Sequence, residues 1–112
     1  MFSPRLKSEL WIKAHIRRCQ ALDLEAFLRH RGDVDAGGIL LKINGFNRGS
    51  QLLEPTMAMD GGRAWIKSTG PQPVDDRHVE EMIEKRLARD RDLWVLEIED
   101  PHGRHQLDEP IL

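Results

Sequence analysis

The sequence predicts an α+β fold: a mostly antiparallel sheet of five or six strands with two helices packed on one face, a single layer pair around one core. Three observations carry that expectation. Side chains alternate with period two over Leu24–Arg29, Ile39–Asn44, Arg63–Ser68 and Leu93–Glu99, as in strands, where successive side chains point to opposite faces. One stretch, Asp75–Asp90, places its apolar residues at helical spacing instead. Between these segments lie clusters of Gly, Asp, Asn and Pro, which supply the positive-φ positions and local side-chain bonds that turns need.

Taken in order, Arg5–Leu22 fits two patterns. Leu6, Leu10, Ile12, Ala14 and Ile16 all fall on even positions, as in a strand. Yet Leu10, Ala14 and Ala21 share one side of a helix, with Glu9, Lys13, Arg17 and Gln20 on another. A stretch of that length without a turn residue favours a short extended lead-in and then a helix ending near Leu22. Whether Arg5–Trp11 is strand or helix stays open. Phe27–Asn44 reads as two strands joined by the acidic, glycine-rich loop Gly32–Gly38. An antiparallel hairpin with a long loop is the expected pairing; the alternative is a strand order that brings other segments between them. Leu52 and Leu53 open the next strand, and Pro55, which cannot donate to a ladder, makes it short or places it at an edge. Asp60-Gly61-Gly62 suits a hairpin turn. The returning strand puts Ala64 and Ile66 on one face and Trp65 and Lys67 on the other.

In the helix of Asp75–Asp90, Asp75 or Asp76 suits the N-terminus, where free backbone N–H groups favour a carboxylate. Val79, Met82, Ile83 and Leu87 form its apolar stripe, and Glu81 and Lys85 can pair weakly on its outer side. Leu93–Glu99 is a strand with Trp94, Leu96 and Ile98 on one face. Asp100-Pro-His-Gly103 is a turn, and Arg104–Leu107 is expected to return as a last strand.

With 112 residues, 39% apolar and 32% charged, the chain has the length and composition of one soluble globular domain, residues 1–112. Its net charge of −2 gives no overall attraction to nucleic acid or to anionic membranes. The lone Cys19 excludes an internal disulfide and favours a reducing, cytoplasmic setting. No apolar run follows the basic residues of the N-terminus as in a signal peptide, and no stretch is apolar for the length a bilayer demands.

Several groupings could carry chemistry. Asp33 and Asp35, two apart in a glycine-rich loop, could offer oxygen ligands to a hard cation, with His30 as a nearby general base. Gly37, however, stands where the EF-hand pattern needs its third ligand, and Asp beside Gly is also ordinary turn chemistry. His102 and His105 near Asp108 and Glu109 have donors suited to zinc but lack a complete local tetrahedral set. Cys19 beside Arg17 and Arg18 could be an activated thiol or a small buried apolar residue. The nucleophile elbow, P-loop and dinucleotide patterns are missing, so neither a catalytic residue nor a cofactor is specified. Arg17, Arg18, Arg29 and Arg31, with Lys13 and the basic N-terminal residues, could form a phosphate-binding patch with Phe27 available for stacking. Trp65, on the face opposite Ala64 and Ile66, reads as an exposed partner or homodimer contact, or else as a residue covered by a helix.

Four blocks come in a familiar order: Ser8-Glu-Leu-Trp-Ile-Lys-Ala14 with Arg17-Arg18-Cys19, Arg31-Gly-Asp-Val-Asp-Ala-Gly37, Asp92-Leu-Trp-Val-Leu-Glu-Ile-Glu-Asp100 and Gly103-Arg-His-Gln-Leu-Asp-Glu-Pro110. Over nearly its full length the chain resembles family 1491 of domains of unknown function, small alphaproteobacterial proteins. The resemblance implies a bacterial, cytoplasmic, single-domain protein and brings no activity, cofactor or site residue with it. The leading expectation is therefore a non-catalytic domain acting through protein contact or homodimerisation. The alternatives are a small metal-binding protein or enzyme using His30, Asp33 and Asp35, and phosphate or nucleic-acid binding through the basic N-terminal segment, with nucleic acid disfavoured by the overall charge.

Overall fold

A computed structural model describes residues 7–35 and 37–112; the lead-in expected around Arg5 and Leu6 lies outside them. The elements are α1 (Ser8–Ala21), β1 (Glu25–His30), β2 (Ile39–Asn44), a 3₁₀ turn at Phe46–Arg48, β3 (Ser50–Met57), β4 (Arg63–Lys67), α2 (Asp76–Arg89) and β5 (Trp94–Glu99). The fold is α+β, with an open five-stranded mixed sheet in the order β1-β5-β2-β3-β4.

The expected β1–β2 hairpin does not form: β5 lies between them, antiparallel to β1 and parallel to β2. Both β2 and β5 are buried along nearly their whole length. Strands apolar on both sides seek the middle of a sheet, whereas β1, with mostly exposed positions, suits an edge. The strand containing Pro55 is neither short nor peripheral. Yet β2 pairs with β3 only from Leu41↔Leu53 to Asn44↔Ser50, so Pro55 lies beyond that ladder, bonded through β4 alone. A missing N–H is tolerated there.

The helices lie on opposite faces, which replaces the single layer pair with three layers. On one face α1 covers β1 and β5, enclosing Trp11, Ile12, Cys19, Leu41, Trp65, Trp94, Leu96 and Ile98 among others. On the other face α2 packs on β2 and β3, where Val79 and Ile83 meet Leu40, Leu52 and Val95, flanked by Met82 and Leu87. The apolar stripe read on α2 thus buries as expected. A helix is needed on each face because odd and even residues of β2 are both buried.

Arg104–Leu107 does not form a strand. Gln106 has φ 59°, and the Leu107 N–H is taken by His105 Nδ1 at 2.9 Å, so the extended run is broken. The tail instead reaches β4 further on: Ile111 bridges Trp65, the Trp65 N–H donates to the Pro110 carbonyl at 2.9 Å, and the Leu112 N–H donates to the Trp65 carbonyl at 2.8 Å. Trp65 is 0% exposed, which overturns its reading as an exposed contact. Trp11 of α1 lies 5.4 Å from it, centroid to centroid, and the Trp65 indole N–H donates to Glu109 at 3.2 Å. Helix and tail cover it together.

Candidate functional site

Lys42 is the fourth residue of β2 and Glu97 the fourth of β5; the parallel register sets them side by side. Both point away from α1, into the space under α2, and Lys42 is 2% exposed. A buried ammonium needs compensating charge. It has Glu80 Oε2 at 2.5 Å, Asp76 Oδ1 at 2.7 Å and Glu97 Oε1 at 3.7 Å. Arg29 of β1 closes the group, with Nη1 2.6 Å from Glu97 Oε1 and Nη2 2.7 Å from Glu80 Oε1. Asn44 Nδ2 donates to Glu97 Oε2 at 3.2 Å, and Ser50 Oγ donates to Asp76 Oδ1 at 2.7 Å. Four strands and the first two turns of α2 thus meet in one polar network.

Its electrostatics follow from those contacts. Burial alone would lower the Lys42 pKa, but hydrogen bonds to Asp76 and Glu80 outweigh it and hold the pKa above its ordinary value. Hydrogen bonds from Arg29, aided by Lys42 and opposed by burial, bring the Glu80 carboxyl down to about 2. The Lys42 hydrogen bond similarly lowers Asp76. At neutral pH Lys42, Arg29, Asp76 and Glu80 are charged and engaged. Such groups are poor proton carriers, since a general acid or base works best with a pKa near the working pH. What the network does is clamp α2 to the sheet at a fixed register.

The groups singled out in sequence are dispersed. His30 Nδ1 is 2.8 Å from the Leu93 carbonyl. Asp33 accepts the Asp35 N–H at 3.2 Å, an Asx turn, and Asp35 pairs with Lys7 at 3.2 Å on the surface. Their loop is fastened on all sides. Trp94 Nε1 donates to the Asp33 carbonyl at 2.6 Å, and Ser8 Oγ donates to the Gly37 carbonyl at 2.5 Å. A Cβ on Gly32 or Gly37 would lie 2.1 Å from the Asp92 carbonyl oxygen, so these glycines answer a close approach of backbone. Among the described residues no three His, Cys, Asp or Glu side chains converge as a metal ion needs. The four arginines do not form one patch either. Arg17 is exposed on α1; Arg18 bonds His15 and lies 5.9 Å from the Trp11 ring. Arg29 belongs to the Lys42 network, and Arg31 pairs with Glu9 at the start of α1. Cys19 is buried, and burial pushes its thiol pKa up, the reverse of an activated nucleophile.

Sequence reasoning missed Lys42, Glu97, Asp76 and Glu80 as a group. A signal was present: Ile-Leu-Leu-Lys-Ile-Asn and Trp-Val-Leu-Glu-Ile-Glu carry opposite charges at the same position of otherwise apolar strands.

The sheet's two edges also differ. β4 is closed by the C-terminal residues. β1 pairs with β5 alone, and among the described residues no other backbone bonds to it; Phe27 is 38% and Leu28 37% exposed.

This geometry can be set beside known proteins. The profile of the family described as "Protein of unknown function (DUF1491)" matches residues 6–108. The chain belongs to the DUF1491 family. A crystal structure of a DUF1491 family protein from Caulobacter crescentus CB15 is similar with TM-score 0.86 and 31% identity, over 96% of this chain and 100% of that one. An NMR structure of a DUF1491 family protein from the same organism gives TM-score 0.83 and 30% identity, over 98% and 99%. The solution structure of protein Atu0922 from A. tumefaciens gives 0.74 and 26%, over 95% and 97%. No curated protein matches the chain. DUF1491 membership thus establishes the fold family and brings no activity with it. No helix among the described residues is long and apolar enough to cross a membrane.

Proposed function

We propose that this DUF1491 protein is a non-catalytic domain of the bacterial cytoplasm, residues 1–112 acting as one unit, that works by pairing with a second copy through β1. The observation that carries the reading is the contrast between the sheet's edges: one is closed by the chain's own tail, the other has no second strand among the described residues and carries exposed Phe27 and Leu28. An open edge is a template for strand addition. The side chains of β1 also complement themselves. In an antiparallel pair centred on Phe27, Phe27 meets its own copy and Glu25 stands opposite Arg29 of the partner, twice. Opposite charges facing across a ladder stabilise it, and like charges oppose it. The saturated Lys42 network and the buried Cys19 supply no group suited to proton transfer or nucleophilic attack, which supports a binding role over catalysis.

Sedimentation or light scattering across the micromolar to millimolar range tests this. The protein should show a concentration-dependent dimer. Phe27→Lys and Glu25→Arg should each shift it to monomer without lowering Tm, because both side chains are exposed. A wild-type chain that is monomeric throughout, or a dimer indifferent to both substitutions, would overturn the reading.

A further inference from the structure

On the α1 side of the sheet, beyond the reach of α1, lies a cleft of about 310 Å³ that none of the sequence motifs pointed to. Ile43 and Gln51, register partners on β2 and β3, form its floor together with Lys67 of β4. Its walls are the turn carrying Arg48, then Pro73, and the Pro101–Gly103 turn carrying His102. Arg48, Lys67 and His102 thus approach one space from three separate parts of the chain. Among the described residues no carboxylate lines it, and neither Arg48 nor Lys67 has an ion-pair partner. In a chain of net charge −2, two cations without an ion-pair partner among the described residues, bordering one cleft, make a local positive field, which a cleft focuses.

Gln51 adds a neutral polar group to the same cleft. Gln51 is 9% exposed, and its side-chain amide makes no hydrogen bond with the described residues. The amide opens onto the cleft floor, where a bound molecule meets it. The backbone N–H groups of Gly45, Gly49, His102 and Gly103 are already bonded within the chain. Anion recognition therefore falls to side chains, and the glycines keep the mouth clear: nothing lies within 4 Å of a Cβ built on Gly103.

We propose that this cleft binds a small phosphomonoester, with Arg48, Lys67 and His102 around the phosphate and the Gln51 amide on a hydroxyl or carbonyl of the organic part. Two cations and an imidazole from three separate parts of the chain suit a tetrahedral dianion, whose oxygens diverge, better than a planar carboxylate, which one guanidinium fork satisfies. The volume lies within the range of small-ligand sites. The site is separate from the β1 edge and stands or falls independently of dimerisation.

Amide chemical-shift titration of the ¹⁵N-labelled protein tests it, with inorganic phosphate, glycerol 3-phosphate, succinate and sodium chloride at matched ionic strength. Both phosphates should give saturable shifts at Gly45, Gly49, Gln51, His102 and Gly103. Glycerol 3-phosphate should bind more tightly, and Gln51→Leu should abolish that advantage. Arg48→Ala and Lys67→Ala should each weaken binding about tenfold, the loss of one charge-assisted contact, with Tm unchanged. Shifts that chloride reproduces, tighter binding of succinate, or indifference to both alanine variants would overturn the proposal. So would a single-stranded RNA oligonucleotide that shifts the same amides at lower concentration than the phosphomonoester, since the site would then read a polymer backbone.

Discussion

On the α1 face, Trp11, Trp65 and Trp94 meet Leu41, Leu96 and Ile98. The buried titratable side chain packed against Trp11 is the neutral His15. His15 donates from Nε2 to the His105 carbonyl at 2.8 Å and accepts at Nδ1 from Arg18 at 2.8 Å. A carbonyl can only accept and a guanidinium only donate, so the tautomer is fixed with its proton on Nε2. On the α2 face the apolar cluster is smaller, and beside it lies a network of ion pairs. The first face draws its stability from area removed from water, which is non-directional and tolerates many partners. The second draws it from charge-assisted bonds that form in one register only. One sheet therefore carries a cohesive side and a side that fixes alignment.

The largest break in this comparison should come from Trp65→Ala on the cohesive face. Removing a wholly buried indole that packs on Trp11 should cost about 3–5 kcal/mol in denaturant unfolding. On the aligning face, Lys42→Ala leaves Glu97 buried beside Asp76 and Glu80 with one cation fewer. The expected loss is about 3 kcal/mol, the lower end for a broken buried pair because Asp76 and Glu80 keep some contact with water. Replacing Lys42 and Glu97 together by Met and Gln should recover much of that loss, as the double-mutant cycle would read. A Lys42→Ala variant as stable as wild type would mean the network fixes nothing.

Acid should separate the faces in sequence. Burial, opposed by the His105 hydrogen bond and reinforced by Arg18, lowers the His15 pKa below 6.5; burial likewise lowers that of His105. The unfolded chain is then the better proton binder, so this stability is complete above pH 6.5 and is lost as pH falls through the folded-state values. Glu80, held at about 2, contributes stability present above its ordinary pKa of 4.5 and lost only as pH falls toward 2. Hydrogen exchange followed downward from neutral pH should show amides of α1 and residues 105–112 opening first, and those of α2 only below pH 4.5. Simultaneous opening would contradict two separately stabilised faces. The smallest effect belongs outside both: Glu9→Gln, which removes the half-buried partner of the exposed Arg31, should change stability by less than about 1 kcal/mol.

Much of the secondary structure was legible because period is a property of the chain itself. The alternation at Ile39–Asn44 and Leu93–Glu99, the stripe of Val79, Met82, Ile83 and Leu87 and the Asp60-Gly61-Gly62 turn all lie where expected. The candidate sites were less legible. Asp33 and Asp35 looked like ligands because oxygen-rich loops and Asx turns share a composition. Trp65 looked exposed because alternation says which residues share a face and is silent about what covers that face. The cleft of Arg48, Lys67 and His102 joins residues that share no motif.

By itself, then, the sequence determined where strands and helices lie, which residues share a side, and which family the chain belongs to. Only the tertiary structure decided that β5 enters between β1 and β2, that the helices take opposite faces, that the tail seals Trp65, and that Lys42 meets Glu97. Local geometry repeats every two or 3.6 residues and is written into neighbouring positions. Strand order and burial are settled by competition among distant segments for the same apolar surface, and that competition leaves no periodic trace along the chain.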